Sequence, residues 1–309
     1  SSDLTQFQNY SFVRSHKTDL YQLVFYKFAT PFAKDNNAQF VTPLPLIDFL
    51  VKIVNPRNGE TVIDPTVGIA DFLSVSYVNS NSKLDDGNIF GMDIDEQMVM
   101  LATLNMLLNG DGNATIEAKS GYGSLLSKFD HKGNILELVP SMNQNGNWDN
   151  RPDKNKLKKF DVVLTNPPFG SAASTNITRT FVHQTGNKQL CFIQHIYDAL
   201  QPGGRAAVVV PDNVLFEGGK GTDIRRDLMD KCNLHTILRL PTGIFYAQGV
   251  KTNVLFMQKG TPENKNQDKN CTRETWVYDM RTNMNTFGKR RPLTDAHFAD
   301  FIAAYGTDP

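Results

Sequence analysis

Short apolar runs recur along this chain with helical segments between most of them: Thr61–Asp64, Ile89–Met92, Thr115–Ala118, Asp161–Thr165, Arg205–Pro211, His235–Leu240 and Asn253–Gln258. A strand with one wet face alternates apolar and polar residues, whereas near-continuous apolar runs read as strands buried on both faces. Helices are expected near Phe72–Tyr77, Glu96–Leu108, Leu190–Leu200 and Asp223–Lys231. Strands joined through helices can pair in parallel, which tight hairpins do not allow. The expected class is α/β, a doubly wound, mainly parallel seven-stranded sheet covered on both faces.

The flanks differ in character. Residues 4–33 read as helical, with Leu20, Leu23, Val24 and Phe28 on one face, and Leu46–Val54 reads as a buried helix stopped by Asn55-Pro56. Lys128–Lys159 is rich in Asn, Gly and Lys and reads as a long insertion, while Thr261–Thr275 is a second polar loop. A late strand is expected at Trp276–Met280, and Leu293–Tyr305 has helical spacing and packs back on the domain. These breaks divide the chain into an N-terminal helical segment 1–38, a main domain 39–260 with its insertion at 128–159, and a C-terminal strand and helix extension 261–309.

Composition excludes several functions. Lys+Arg and Asp+Glu are both 32 in 309 residues, so no global field draws the chain onto a polyanion. Affinity for nucleic acid would need local patches or a partner subunit. Cys191, Cys232 and Cys271 have neither paired spacing nor a matching His cluster, which argues against structural zinc and a disulfide framework. The longest apolar runs, such as Ala206–Val210, are too short to span a bilayer, and no signal-peptide pattern opens the sequence. A soluble cytoplasmic protein without membrane contact is expected.

The candidate chemistry gathers at strand ends, where open α/β sheets bind ligands. Asn166-Pro167-Pro168-Phe169 follows the run Asp161–Thr165. Two prolines fix two φ angles and remove two N–H donors, leaving a rigid set of acceptors beside an amide. A planar NH2 group suits it: Asn166 Oδ1 and the Pro167 carbonyl each accept one amino hydrogen, and Phe169 stacks on the ring. Asp64 ends the first strand and Gly68 lies in the turn beyond it, allowing close backbone approach to a ligand. Asp93, after the second strand, is placed to accept from both ribose hydroxyls of a nucleoside, with Ile94 on the adenine face. Asp95 reads as the N-cap of the next helix. The absence of a G-x-G-x-x-G turn argues against a nicotinamide dehydrogenase. Upstream, Gln39-Phe40-Val41-Thr42-Pro43 stands before a helix, with Thr42 able to hydrogen-bond and Phe40 to pack on a ring.

Together these motifs resemble the N6-adenine DNA methylases that use S-adenosylmethionine, and more narrowly the modification (M) subunits of Type I restriction-modification systems. The resemblance also rests on Leu200-Gln201-Pro202-Gly203-Gly204, Asn213–Phe216, Gly218-Gly219, Ile224-Arg225 and Leu240–Phe245, and runs from Gln39 to Gln258. It implies a Rossmann-like methyltransferase sheet and S-adenosylmethionine as cofactor. The cofactor would be bound by Gln39, Phe40, Thr42, Pro43, Asp64, Thr66, Gly68, Ala70, Asp93, Ile94 and Tyr122. Asn166, Pro167, Pro168 and Phe169 would be catalytic, acting on an adenine flipped out of DNA. The implied partners are DNA, a specificity subunit, a second methylase copy and optionally a restriction subunit.

Two departures stand out. Ile69-Ala70-Asp71 occupy positions where the family carries Gly or another very small residue, so their side chains bear on the methionine end of the cofactor. Lys119–Leu126 lacks the acid that usually receives the cofactor amino group, leaving Tyr122 or a backbone carbonyl to substitute. A catalytically silent binding or scaffold subunit therefore stays open, as does a methyltransferase acting on a protein glutamine or an RNA base, since each presents a planar NH2 group to the same Asn-Pro-Pro cluster. Lys154, Lys156, Lys158, Lys159, Lys289, Arg290 and Arg291 are candidates for phosphate contacts, or simply solvated loop residues. His183 and His195 read as structural.

Overall fold

The computed structural model describes residues 42–80, 84, 88–93, 95–118, 128–129, 135–137, 141–142, 148–149, 159–170, 181–245, 250–282, 284, 286–288 and 290–306. The first helix, α1 (Leu44–Val54), buries Leu46–Val51 and ends where Asn55 turns left-handed before Pro56. There follow β1 (Val62–Asp64), α2 (Asp71–Asn79), β2 (Ile89–Asp93), α3 (Glu96–Leu108), β3 (Thr115–Ala118), β4 (Phe160–Thr165), α4 (Lys188–Ala199) and β5 (Leu200–Pro211). The second half holds a one-turn helix α5 (Asn213–Phe216), α6 (Lys220–Lys231), β6 (Cys232–Arg239), β7 (Thr252–Lys259), β8 (Trp276–Asp279) and α7 (Ala299–Tyr305). Two short ladders, Lys128–Phe129 with Ile135–Glu137 and Ser141–Met142 with Trp148–Asp149, lie within the polar insertion.

The sheet runs β8-β6-β7-β5-β4-β1-β2-β3. The ladders β3-β2-β1-β4-β5 and β6-β8 are parallel; β7 is antiparallel to both neighbours. The sheet therefore has eight strands, not the seven expected. Trp276–Asp279, read from sequence as part of a separate extension, pairs with β6 from Thr236↔Trp276 to Arg239↔Asp279. As an edge strand it is half exposed and sits between polar loops, so it lacks the apolar run that marks its buried neighbours.

Alternation along single strands explains why these runs are apolar throughout. Val162 and Leu164 enter one core with Ala207, Val209, Val254 and Phe256, beneath α1, α2 and α7. Val163 enters the other with Ala206, Val208, Leu255 and Met257, beneath α4 and α6. Gly204 is required at the start of β5, since a Cβ there would lie 2.7 Å from the Phe160 carbonyl oxygen. Gly203 and Gly204 precede the run expected from Arg205, yet both lie within β5, opposite an irregularity in the β4 ladder.

Two long-range contacts place α1 relative to the sheet. Arg205 donates to the carbonyls of Val54 and Asn55, at 2.6 Å each, and pairs with Glu60. At the other side Phe49 stacks on Phe298, centroids 4.2 Å apart, and meets Phe301 edge-on. The amino end of α1, with Thr42 before it, is held over the carboxyl ends of the central strands.

Candidate functional site

Strand order reverses at β1: the chain goes outward to β2 and β3, then returns to place β4 on β1's other side. Ladders part beyond such a switch point and leave a crevice at the strands' carboxyl ends. Asp64, Asp93 and Asn166 stand at or just past the ends of β1, β2 and β4 around this crevice.

Asn166 donates through Nδ2 to Thr42 Oγ1 at 3.0 Å, across 124 residues of sequence. That bond fixes which way the amide faces and leaves Oδ1 as its acceptor end. Pro167 is buried, and the Pro168 carbonyl accepts from Gln189 Nε2 at 3.0 Å, which ties the loop to the first turn of α4. Phe169 is half-buried and meets Phe245 edge-to-face, ring centroids 6.3 Å apart. The turn bearing Phe245 is braced by the Phe287 N–H, which donates to the Thr242 carbonyl at 2.9 Å. Its Gly243, at φ +83, has no room for a Cβ, which would fall 2.1 Å from the Phe287 oxygen.

The turn after β1 forms the opposite wall. Gly68 N–H donates to Asp93 Oδ2 at 3.0 Å, and Val67 N–H to the Met92 carbonyl at 2.7 Å, so the turn is tied to the end of β2. Asp93 Oδ1 also accepts from Asp95 N–H at 2.9 Å, and Asp95 caps α3 by accepting from Gln97 N–H. A carboxylate has several lone-pair sites, the acceptor chemistry that a hydroxyl needs. A Cβ on Gly68 would meet nothing within 4 Å, so a ligand has space beside this backbone. Ile69, Ala70 and Asp71 are all buried. Ile69 packs with Met98 of α3, and Asn105 donates to the Ile69 carbonyl at 2.7 Å and to Asp71 Oδ1 at 3.3 Å. Ala70 holds φ +66, a left-handed conformation that Gly adopts without steric cost.

Asp64 is 2% exposed, and Oδ1 accepts from Thr66 N–H at 2.9 Å and from the Thr165 hydroxyl at 2.7 Å. Burial pushes its pKa from 3.8 up to about 7; the Asp93 charge adds to the rise and the hydrogen bonds from Thr165 and Thr66 oppose it. The folded state thus keeps a proton that the unfolded chain releases near pH 4. The associated stability is full below pH 4 and is lost as pH rises to 7. Asp64→Asn should flatten this part of the stability profile, read from urea midpoints between pH 4 and 8. Parallel profiles for the two proteins would mean that Asp64 titrates alike in the folded and unfolded chain.

Of the residues proposed from sequence, Thr42 and Asn166 meet directly, Asp64 and Thr66 meet at the β1 turn, and Gly68 meets Asp93. Pro43 accepts from Leu46 and Ile47 N–H and so starts α1. Gln39, Phe40, Ile94 and Tyr122 lie outside the described residues, as do Lys154, Lys156, Lys158 and Lys289. Lys159 donates to the Asp198 carbonyl, and the Arg291 guanidinium lies 5.9 Å from the Phe287 ring centroid. Sequence reasoning passed over Thr165 and Gln189, and cited Phe245 only as part of a motif. Nothing local marks Thr165 or Gln189, because their partners are distant in sequence. Among the described residues no helix is long and apolar enough to cross a membrane, and no group of three or more His, Cys, Asp or Glu is placed to hold a metal ion.

A mainly parallel sheet with one antiparallel strand, a glycine turn after β1 and an acid at the end of β2 defines the S-adenosylmethionine-dependent methyltransferase fold. A chain described as a class I methyltransferase of that kind from Listeria monocytogenes superposes with a TM-score of 0.57, over 92% of this chain and 74% of that one, at 16% identity, a likeness of fold alone. Residues 14–308 match the N-6 DNA Methylase family, and the chain belongs to that family. It is 51% identical over 306 residues to the Type I restriction enzyme EcoKI methylase subunit of Escherichia coli (strain K12), covering 94% of this chain and 53% of that protein. The crystal structure of the EcoKI M protein superposes with a TM-score of 0.70 at 48% identity, over 90% of this chain and 56% of that one. The chain spans about half the length of the curated relatives it matches.

Proposed function

We propose that the chain transfers a methyl group from S-adenosylmethionine to the N6 amino group of adenine in DNA, as part of a modification subunit of a Type I restriction-modification system. The observation that carries this reading is the Asn166 amide, oriented by Thr42 at the crevice that Gly68 and Asp93 wall on its other side. When bound, the cofactor supplies an electrophilic methyl group. Asp93 would accept from its ribose hydroxyls, and Gly68 would let its chain approach the backbone.

The adenine N6 lone pair is delocalised into the ring, so the amine is a poor nucleophile. Asn166 Oδ1 and the Pro167 carbonyl, each accepting one amino hydrogen, favour a pyramidal nitrogen with its lone pair aimed at the methyl. Positioning of the two reactants supplies much of the remaining acceleration. A base within a duplex does not reach such a pocket, so the adenine is flipped out, with Phe169 against its face. In the overall exchange the N–C bond would replace the methyl–sulfur bond, leaving the cofactor as a neutral thioether, and one of the two amino protons would pass to water.

One motive for the silent-subunit alternative was Ile69, Ala70 and Asp71; the packing of Ile69 with Met98 and the Asn105 bonds to Ile69 and Asp71 support reading this turn as part of the protein's own packing. Its other motive, the acid missing near Tyr122, lies outside the described residues. Zero net charge supports a partner that provides target recognition and DNA affinity, for which a specificity subunit and a second methylase copy are proposed. The chemistry is assigned to residues 39–260, and the setting is the cytoplasm.

The test is methylation of DNA by the full-length protein assembled with its specificity subunit. The expected product is N6-methyladenine at one defined sequence, identified by mass spectrometry of digested DNA. Cofactor binding without any methyladenine would sink the reading.

A further inference from the structure

We infer that Thr165 is a positioning residue for methyl transfer, holding Asn166 in register with the cofactor-binding turn through its side-chain hydroxyl. The inference rests on the methyl-transfer reading above and concerns a residue outside its assigned set.

The backbone ladder between β1 and β4 pairs Val62 with Val162 and Ile63 with Val163, and goes no further. On its other side β4 stays paired with β5 up to Thr165↔Val208. The main chain therefore stops tying β4 to β1 two residues before Thr165, and three before Asn166. The crevice opens there, and a catalytic amide needs its position fixed against the opposite wall.

The Thr165 hydroxyl spans this gap. It is fully buried, donates to Asp64 Oδ1 at 2.7 Å, and lies 2.7 Å from Thr66 Oγ1. Each hydroxyl has one proton, and Thr66 Oγ1 also lies 3.5 Å from Asp64 Oδ1, so either threonine can donate to the other while its partner donates to the carboxylate. Thr66 N–H donates to the same Asp64 oxygen at 2.9 Å. The three groups close a ring that joins the end of β4 to the end of β1 and the turn beyond. Two residues past Thr66, Gly68 N–H holds Asp93. One residue past Thr165 is Asn166. The acceptor for the amine and the acid for the ribose are thus linked by a path in which the Thr165 hydroxyl is the bridge between strands.

The experiment compares wild type, Thr165→Val and Thr165→Ser in the assembled full-length enzyme. Valine keeps the volume and removes the hydroxyl; serine keeps the hydroxyl. Because small misplacements of reacting groups slow reactions steeply, kcat of Thr165→Val should fall on the order of 10-fold to 100-fold, with KM for DNA and Kd for S-adenosylmethionine nearly unchanged. Thr165→Ser should recover most of the loss. If Thr165→Val does not fold, Thr165→Ala also removes the hydroxyl and should show the same split between kcat and KM. Wild-type kcat in the valine variant, or equal losses in valine and serine variants, would overturn the inference while leaving the methyl-transfer reading intact. A wild-type assembly that binds cofactor and makes no methyladenine would overturn both.

Discussion

Asn166→Ala should lower methyl transfer to adenine by roughly 10²- to 10³-fold, the loss typical of removing one oriented polar group that acts on the reacting atom. Its amide is held by Thr42 at 3.0 Å, so it meets the amine without first being ordered. Alanine removes the acceptor and leaves the Pro167 carbonyl alone to polarise the amine. The proposed cofactor wall, where Gly68 N–H bonds Asp93, does not involve Asn166. Binding of S-adenosylmethionine by titration calorimetry should therefore match wild type, while the single-turnover rate collapses. Asn166→Asp offers a contrast: a carboxylate still accepts, and the Thr42 hydroxyl can turn to donate to it, so activity should lie between the two. An alanine variant within about tenfold of wild type would remove Asn166 from the chemistry, because the expected loss begins well above that.

The largest effect on stability is expected at Phe301→Ala, a loss of about 3–5 kcal/mol, as for other buried phenylalanines. Phe301 is 0% exposed, and its ring lies 5.2 Å from Phe49 and Tyr278, 5.3 Å from Trp276, 5.2 Å from Tyr305 and 6.3 Å from Phe256. These partners come from α1, β8, α7 and β7, so one ring joins the final helix to the sheet and to the helix that presents Thr42. Urea unfolding of the full-length protein should show a lower midpoint with an unchanged m-value. A loss below about 1 kcal/mol would show that α7 opens independently of the core, since a buried phenylalanine in a cooperative unit costs several times more. If α7 belongs to that unit, the variant should also lose activity at temperatures where wild type is still folded.

Much of the site was legible because its signals are local. The run Asp161–Thr165 shows a buried strand, and Asn166-Pro167-Pro168-Phe169 after it shows a rigid acceptor turn; both depend only on neighbouring residues. The glycine turn after Asp64, the acid at Asp93 and the cap at Asp95 are local in the same way, and the Asp95 cap is formed. Strand β8 was harder to place, because an edge strand with one exposed face carries a weaker pattern than the buried strands beside it.

Periodicity and turn chemistry in the chain suffice for the α/β class, the strand ends that border the crevice and the residue types found there. Strand order does not follow from them. Only when β4 lies beside β1 does Thr165 reach Asp64, and only when α1 crosses the carboxyl edge does Thr42 reach Asn166. The meeting of Phe169 with Phe245 likewise depends on how two distant turns pack. The physical reason is range: local energies select backbone conformation over a few residues. Contacts between side chains a hundred residues apart arise from the packing of whole elements around a shared core.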